Sequence, residues 1–156
     1  GYARFSHKVD SFSYHCAMAP MLFPALDIRR DDYDYALAKK MIGIWRRASN
    51  LVLYGDYYSL IPLHRNALKW VALQFDLPET GNGFVQGIRL PESPEETVTI
   101  HPVCISPDSV YLFENEETGE KKDISGEELI RDGITLALPK RSGAIWFYKK
   151  KSEQMP

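Results

Sequence analysis

The strongest constraint in this sequence is a change of pattern near Leu51, where helical periodicity gives way to short strand-like runs. Before this point, the segment from Tyr33 to Ala48 repeats apolar residues close to helical spacing, which predicts an amphipathic helix. After it, runs rich in β-branched and aromatic residues are separated by Gly, Pro and Asn, which predicts short strands joined by turns. A helical first part therefore precedes an all-β second part.

The second part contains eight candidate strands whose spacing is typical of a β-sandwich rather than of alternating strands and helices. We therefore predict a mainly β fold: an antiparallel, Greek-key-like sandwich of about eight strands after a helical segment. The candidate strands are Tyr57–Ile61, Ala67–Phe75, Phe84–Leu90, Thr97–Ile105, Ser109–Glu114, Glu120–Ile124, Ile134–Leu138 and Ala144–Lys149.

Individual patterns place some of these strands in the sandwich. The strands that begin at Thr97 and Ile134 alternate apolar and polar residues, so each is expected to have one wet face. The run Ala67–Phe75 is apolar on both sides, which predicts a central strand whose second face is covered, and the helix is a candidate for that cover. Glu117-Thr118-Gly119 is a candidate hairpin turn.

Capping residues predict where the helices begin and end. Asp31 and Asp32 are expected to cap the long helix, and Asn50 or Gly55 to end it. A second, short helix is predicted where Ser125 to Glu128 form a capping box, with Gly133 as its stop signal.

Composition excludes several classes of protein. The 156 residues suit one domain of ordinary size or a smaller domain with an appended segment, and the net charge of -2 argues against a nucleic-acid or membrane partner. Cys16 and Cys104 lack the spacing of a disulfide framework or zinc site, so free thiols and no cofactor are expected. The chain begins at Gly1 instead of Met, which suggests part of a longer protein, and we assign no localisation.

Three segments together resemble the alpha-galactosidase-like glycoside hydrolases of family 36. They are the helix followed by Leu53-Tyr54-Gly55-Asp56-Tyr57-Tyr58-Ser59-Leu60-Ile61-Pro62, the long strand carrying Trp70, and the closing pattern from Asp123 to Ile134 and from Ala144 to Tyr148. The resemblance implies that residues 1–50 are a remnant of the end of a (β/α)8 catalytic barrel. It implies that residues 51–156 form a C-terminal β-sandwich.

The resemblance also implies a function. The parent protein would be a retaining enzyme that hydrolyses alpha-galactosides or related alpha-linked sugars, with its two catalytic carboxylates upstream of this chain. This part would be non-catalytic, with the upstream barrel as its partner in the same polypeptide. The carbohydrate substrate would bind only in the full protein, and a homo-oligomer stays open. Because they lie near the expected last barrel strand, Asp10, His15 and Cys16 are the substrate-side candidates, and no catalytic or metal-ligating residue is assigned.

Other clusters have simpler explanations than catalysis. Helix capping explains the acidic run Asp31 to Asp34, and Asp10, Asp27 and Asp56 lack a spacing that would bring two of them together. The histidines outside the candidate set show no metal-ligand spacing; they are His7, His64 and His101.

Two alternative functions remain at this stage. An autonomous carbohydrate-binding module would need exposed aromatic rings, for which Tyr111, Phe113, Trp146 and Tyr148 are candidates, although core packing is the stronger expectation for them. A small independent enzyme would use the Asp10, His15 and Cys16 region. One apolar group is expected to fold back onto the chain or to pack in a dimer; its members are Met18, Met21, Leu22, Phe23 and Leu26.

Overall fold

A computed structural model describes residues 2–4, 9–18, 22–25, 29–62 and 69–151. Within these ranges, the first part contains two short strands and two helices, and the second part contains eight strands and one short helix. In chain order the elements are β1 Tyr2–Arg4, α1 Ser11–Ala17, β2 Phe23–Ala25, α2 Tyr35–Tyr54, β3 Asp56–Ser59, β4 Trp70–Leu77, β5 Asn82–Arg89, β6 Thr97–Ile100, β7 Val110–Asn115, β8 Lys121–Ser125, α3 Gly126–Arg131, β9 Ile134–Ala137 and β10 Ser142–Lys150.

Strands β3 to β10 form an antiparallel sandwich. Six of them make one sheet in the order β3-β4-β5-β10-β7-β8, and β6 pairs with β9 in a second sheet. The last strand, β10, lies between β5 and β7, so the chain returns to the middle of this sheet after β9. The prediction of a mainly β, antiparallel sandwich of about eight strands preceded by a helix is confirmed.

The larger sheet is covered on both faces. The face bearing Trp70 and Val85 packs against β6 and β9, and we call this the sandwich core. The opposite face packs against α1 and α2, and we call this the helix-side core. Strand β4 contributes to both cores, Trp70 to the first and Phe75 to the second, as expected for a central strand covered by a helix.

The β6–β9 pair shows the predicted alternation. Ile100 and Leu136 are buried in the sandwich core, whereas Thr99 and Thr135 are exposed and their hydroxyls lie 3.0 Å apart. One face of this small sheet is therefore wet and the other dry, because successive side chains of a strand point to opposite sides.

The long helix differs from its prediction at its N-terminal end and agrees with it at its C-cap. Its N-cap is Asp34, whose carboxylate accepts from the Leu37 amide at 2.9 Å, so the expectation of Asp31 or Asp32 is wrong. The apolar repeat predicts the helix only as far as Ala48, but the helix continues to Tyr54, and its C-cap is Gly55, one of the two residues expected to end it. It extends this far because Leu51 and Val52 add a further turn of apolar contact with the helix-side core. The division into residues 1–50 and 51–156 stays a prediction, and α2 crosses it.

The short helix and the hairpin turn agree with their predictions. The Ser125 hydroxyl accepts from the Glu128 amide at 3.1 Å, and Gly133 follows α3 with a φ of 72°. Gly119, with a φ of 73°, lies in the turn between β7 and β8. Both glycines adopt the left-handed conformation that other residues rarely enter.

The first part of the chain contains a different kind of sheet. Strands β1 and β2 run parallel, with Tyr2 opposite Phe23 and Arg4 opposite Ala25, and α1 lies between them in the chain. Two of the apolar residues expected to fold back, Met18 and Leu22, are buried in the helix-side core. Met21 and Leu26 lie outside the described residues, as do His7, Asp27, His64 and the start of the predicted strand at Ala67.

Candidate functional site

Asp10, the first substrate-side candidate, is the N-cap of α1. Its Oδ1 accepts from the Ser13 amide at 3.0 Å and from the Ser13 hydroxyl at 2.8 Å, and its Oδ2 accepts from Arg141. Burial acts to raise the pKa of Asp10, but the hydrogen bonds from Arg141 and Ser13 outweigh it and lower the pKa. The carboxylate is thus charged and already engaged by the protein, as an N-cap requires.

His15, the second candidate, faces the sheet. Only 1% of its surface is exposed. Its Nε2 lies 3.3 Å from Glu117 Oε1, and its Nδ1 lies 3.4 Å from Gln86 Nε2. The Nε2–H tautomer satisfies both contacts, since Nε2 then donates to the carboxylate and Nδ1 accepts from the amide. With both ring nitrogens occupied by protein groups, His15 presents no free polar atom for a ligand.

Cys16, the third candidate, is on the opposite, exposed side of α1. Partial desolvation raises the pKa of its thiol, and the Arg141 charge opposes that shift. A thiol with a raised pKa is mainly protonated near neutral pH and is a weak nucleophile. Cys104 is also exposed, and both cysteines are free thiols as predicted.

The three candidates do not form one centre. Asp10 and Cys16 both experience the Arg141 charge at the outer side of α1, whereas His15 lies beneath the helix. Across the described ranges, no group of three acidic, histidine or cysteine residues is close enough to hold a metal ion. The same part of the chain contains no helix that is both long and apolar enough to span a bilayer.

The aromatic residues considered for sugar stacking are packed inside the sandwich. Tyr111, Phe113 and Tyr148 are each at most 3% exposed, and the Phe113 and Tyr148 rings stack at 5.2 Å. Trp146 is half-buried against the same core. The expectation of core packing is confirmed for the three buried rings, which cannot meet a pyranose face.

A buried polar network that sequence reasoning missed lies beside these rings. The Tyr148 hydroxyl accepts from Gln74 Nε2 at 2.7 Å and donates to Asp76 Oδ1 at 2.6 Å. Gln74 also binds the backbone of Val103 through both its amide oxygen and its nitrogen, at 2.8 and 2.9 Å. Burial is the main cause that raises the pKa of Asp76, and burial followed by the Asp76 contact raises that of Tyr148.

Register places a second carboxylate near this network. Asp56 on β3 is directly opposite Asp76 on β4, so the two side chains share a face of the sheet. Retaining glycosidases need two carboxyl groups on either side of the scissile bond. Asp76 is only 1% exposed, so it cannot reach a glycosidic bond, and this acidic pair is unsuited to that chemistry.

Ion pairs join α2 to the turn between β7 and β8. Arg47 binds both Glu114 and Glu116, and its guanidinium lies 4.0 Å from the centre of the Phe147 ring. Lys40 donates to Glu117 at 2.6 Å. Hydrogen bonding from Arg47 is the main cause that lowers the pKa of Glu114. These contacts attach the helix layer to the sandwich.

An exposed apolar corner lies where α2 passes into β3. Leu53 is 71% exposed, Tyr54 is 76% exposed and Tyr57 is 55% exposed. The Tyr57 ring contacts Phe75 at 5.4 Å, so the corner continues outward from the helix-side core. Strand β3 is also one of the two edge strands of the six-stranded sheet.

The architecture is the fold of a segment found in solved structures of family 36 alpha-galactosidases. No protein-family model matches the chain, and no curated protein does either. The similarity is to solved structures, which confirms the resemblance stated from the sequence at the level of the fold.

Three of these structures illustrate the match. The galactosidase domain of the alpha-galactosidase-sucrose kinase AgaSK is 23% identical with a TM-score of 0.67, over 94% of this chain and 20% of that one. The alpha-galactosidase AgaB from Geobacillus stearothermophilus is 22% identical with a TM-score of 0.67, over 89% of this chain and 19% of that one. The alpha-galactosidase from Lactobacillus brevis is 12% identical with a TM-score of 0.72, over 92% of this chain and 20% of that one. The chain thus spans about a fifth of the length of the proteins it matches.

Proposed function

We propose that this chain is the C-terminal, non-catalytic domain of a glycoside hydrolase that acts on alpha-galactosides or related alpha-linked sugars. In this proposal the domain packs on the catalytic barrel and stabilises it. The observation that carries the proposal is the parallel β1–β2 pair joined through α1 and followed by the antiparallel sandwich.

A parallel strand pair joined by a helix is the repeating unit of a (β/α)8 barrel. Among the described residues, β1 and β2 pair only with each other, and each has three residues. Parallel strands normally belong to larger sheets that are covered on both faces, and a two-stranded sheet is marginal alone. The pair therefore fits the end of a barrel whose other strands belong to a different part of the parent protein.

The substrate-side candidates bear on the proposal because of where they lie between the two parallel strands in the chain. Asp10 caps the helix that follows β1 and precedes β2, and His15 and Cys16 belong to that helix. In the proposal this helix lies next to the sugar pocket. The exposed corner at Leu53 and Tyr54 supports a domain that packs against further protein, because contiguous exposed apolar side chains mark interaction surfaces. The buried state of Tyr111, Phe113 and Tyr148 favours a supporting domain over a carbohydrate-binding module.

Activity and binding assays test the proposal directly. The purified chain is incubated with a chromogenic alpha-galactoside and titrated calorimetrically with galactose and raffinose. Intact AgaB is the positive control, and the segment of AgaB that this chain matches, expressed alone, is the matched control. We expect no turnover and no heat of binding from either isolated segment. Turnover would identify an independent enzyme, and binding below millimolar concentrations would identify a carbohydrate-binding module.

Hydrogen exchange tests the assignment of the first strands. If β1 and β2 belong to a barrel completed elsewhere, their amides in the isolated chain should exchange rapidly, while those of β5 and β10 exchange slowly. Equal protection of β1, β2 and β5 would show that the parallel pair is complete in itself and would contradict the barrel assignment.

A further inference from the structure

The buried contact of His15 connects α1 to the sandwich. Gln86 on β5 donates to the backbone carbonyl of His15 at 3.0 Å, in addition to its contact with Nδ1. On the other side of the ring, Nε2 reaches Glu117 in the β7–β8 turn. One side chain of α1 thus contacts two separate parts of the sandwich, 71 and 102 residues away in sequence.

Gly143 on β10 leaves the space that this histidine occupies. A Cβ atom added at Gly143 would lie 2.7 Å from both the Cβ and the Cγ of His15. These atoms are next to the α1 backbone and cannot swing away, so any larger residue at position 143 must displace the helix. The position requires glycine for its small size, since its backbone is part of a regular strand.

Gln86 gives this contact its specificity. It is 1% exposed on the helix-facing side of a central strand, where the surrounding contacts are apolar. A buried amide without a partner costs about 1–3 kcal/mol, whereas apolar contacts tolerate small shifts. Both N–H bonds of the Gln86 amide are directed to His15, so a rotation or slip of α1 would leave them unsatisfied.

The contact also includes the second helix. Glu117 accepts from Lys40 of α2, and its own amide donates to Asn115 Oδ1 at 2.8 Å, which fixes the turn. Hydrogen bonding from His15 is the main cause that lowers the pKa of Glu117, to about 2, so the carboxylate is charged under ordinary conditions. The His15 cluster, comprising His15, Gln86, Glu117 and Gly143, thus lies where α1, the sheet and the hairpin turn meet.

We propose that His15 is a positioning residue through which the sandwich fixes the place of the β1–α1–β2 unit. The proposal rests on the function proposed above, because the unit matters as the end of the barrel. His15 then acts on the sugar pocket only indirectly, by setting where the chain enters β2, and it does not touch the substrate.

The test measures amide exchange of residues 14–18 in the full chain, relative to the amides of β5. We expect His15→Leu and Gln86→Leu each to speed exchange of residues 14–18 at least tenfold more than that of β5. Phe75→Leu trims an apolar side chain of the same core, and Phe75 is paired across the sheet with Tyr57 and Phe84 instead of with a member of the cluster, so it should accelerate α1 and β5 alike. Equal acceleration of α1 and β5 in His15→Leu, or no acceleration of α1, would overturn the proposal.

A pair of glycine variants tests the space for the ring. Gly143→Ala should loosen α1 as His15→Leu does, whereas Gly43→Ala, on the exposed side of α2 with no atom within 4 Å of the added Cβ, should not. If Gly143→Ala fails to fold, the two leucine variants still decide the matter. Failure of this inference would leave the galactoside and calorimetric results unchanged, so it can be distinguished from failure of the proposed function.

Discussion

At the scale of single residues, the network around Tyr148 shows how the sandwich core tolerates polar groups. Tyr148, Gln74 and Asp76 are each at most 3% exposed, and the tyrosine hydroxyl forms a hydrogen bond with each of the other two side chains. Through Val103 the network also holds the chain that follows β6. Buried polar groups of this kind stabilise a fold only while every partner is present.

Removal of the Tyr148 hydroxyl should therefore destabilise the folded state. In Tyr148→Phe the ring still fills its site, but Gln74 loses an acceptor and Asp76 loses its donor. We expect the free energy of unfolding to fall by about 1–3 kcal/mol, measured by urea titration. Tyr54→Phe, at a ring that is 76% exposed, is the matched control and should change stability by less than about 0.5 kcal/mol. A loss no larger than that of the control would show that the network contributes nothing.

Sequence reasoning missed this network because its members are distant along the chain. Asp76 and Tyr148 are 72 residues apart, and they meet because Asp76 lies opposite Gly83, which in turn lies opposite Tyr148. Only the strand order and register bring them together. The candidates Asp10, His15 and Cys16 are close in sequence, but the α1 helix directs His15 inward and Cys16 outward.

At the scale of elements, α2 shows that a sequence can predict a helix without predicting the residue that caps it. Its apolar spacing predicted a helix, but three aspartates precede it and each is a good capping residue. The structure selects Asp34, whose carboxylate accepts from the Leu37 amide in the first turn. The eight strands were easier to predict, since Gly, Pro and Asn mark the turns between them, although their ends differ by a few residues.

The choice of cap can be measured. Asp34→Ala should lower the free energy of unfolding by about 1 kcal/mol, because the Leu37 amide loses its acceptor. Asp31→Ala is the control and should change stability by less than about 0.5 kcal/mol. Thermal or urea unfolding measures the loss of stability in both variants. A larger loss in Asp31→Ala than in Asp34→Ala would show that Asp31 is the cap.

The attachment of α2 to the hairpin turn gives a prediction for pH. Glu117 has a pKa lowered from 4.5 to about 2, chiefly by His15 and then by Lys40, so its ionised form stabilises the folded state. This contribution is present above about pH 4.5 and is lost as the pH falls towards 2. Glu117→Gln should therefore lower the free energy of unfolding by about 1 kcal/mol at neutral pH. The difference in this free energy between the variant and the unaltered chain should shrink steadily below pH 4.5.

Urea titrations at several pH values test this expectation. Glu120→Gln changes an exposed acid in the same turn and should show little effect at any pH. A Glu117→Gln deficit that stays constant between neutral pH and pH 2.5 would mean that lost packing, and not lost charge, is responsible.

At the scale of the whole molecule, one sheet separates two cores. The helix-side core contains Met41 and the sandwich core contains Leu136, and strands β4, β5 and β10 contribute side chains to both. Loss of a side chain from one core must therefore disturb strands that also contribute side chains to the other core. The helix-facing side of this sheet is also the surface against which α1 packs.

Core truncations on the two faces should consequently have the same global result. Met41→Ala and Leu136→Ala remove side chains that are at most 1% exposed, and each should lower the free energy of unfolding by about 2–5 kcal/mol. Because the sheet is shared, circular dichroism, which follows the helices, and the fluorescence of Trp70 and Trp146, measured in a Trp45→Phe background, should report one coincident transition in both variants. Leu53→Ala, at a side chain that is 71% exposed, is the control for truncation and should cost far less. If Met41→Ala melts the helix signal before the fluorescence signal, the two cores are separate units, and the sandwich can fold without holding the helix layer.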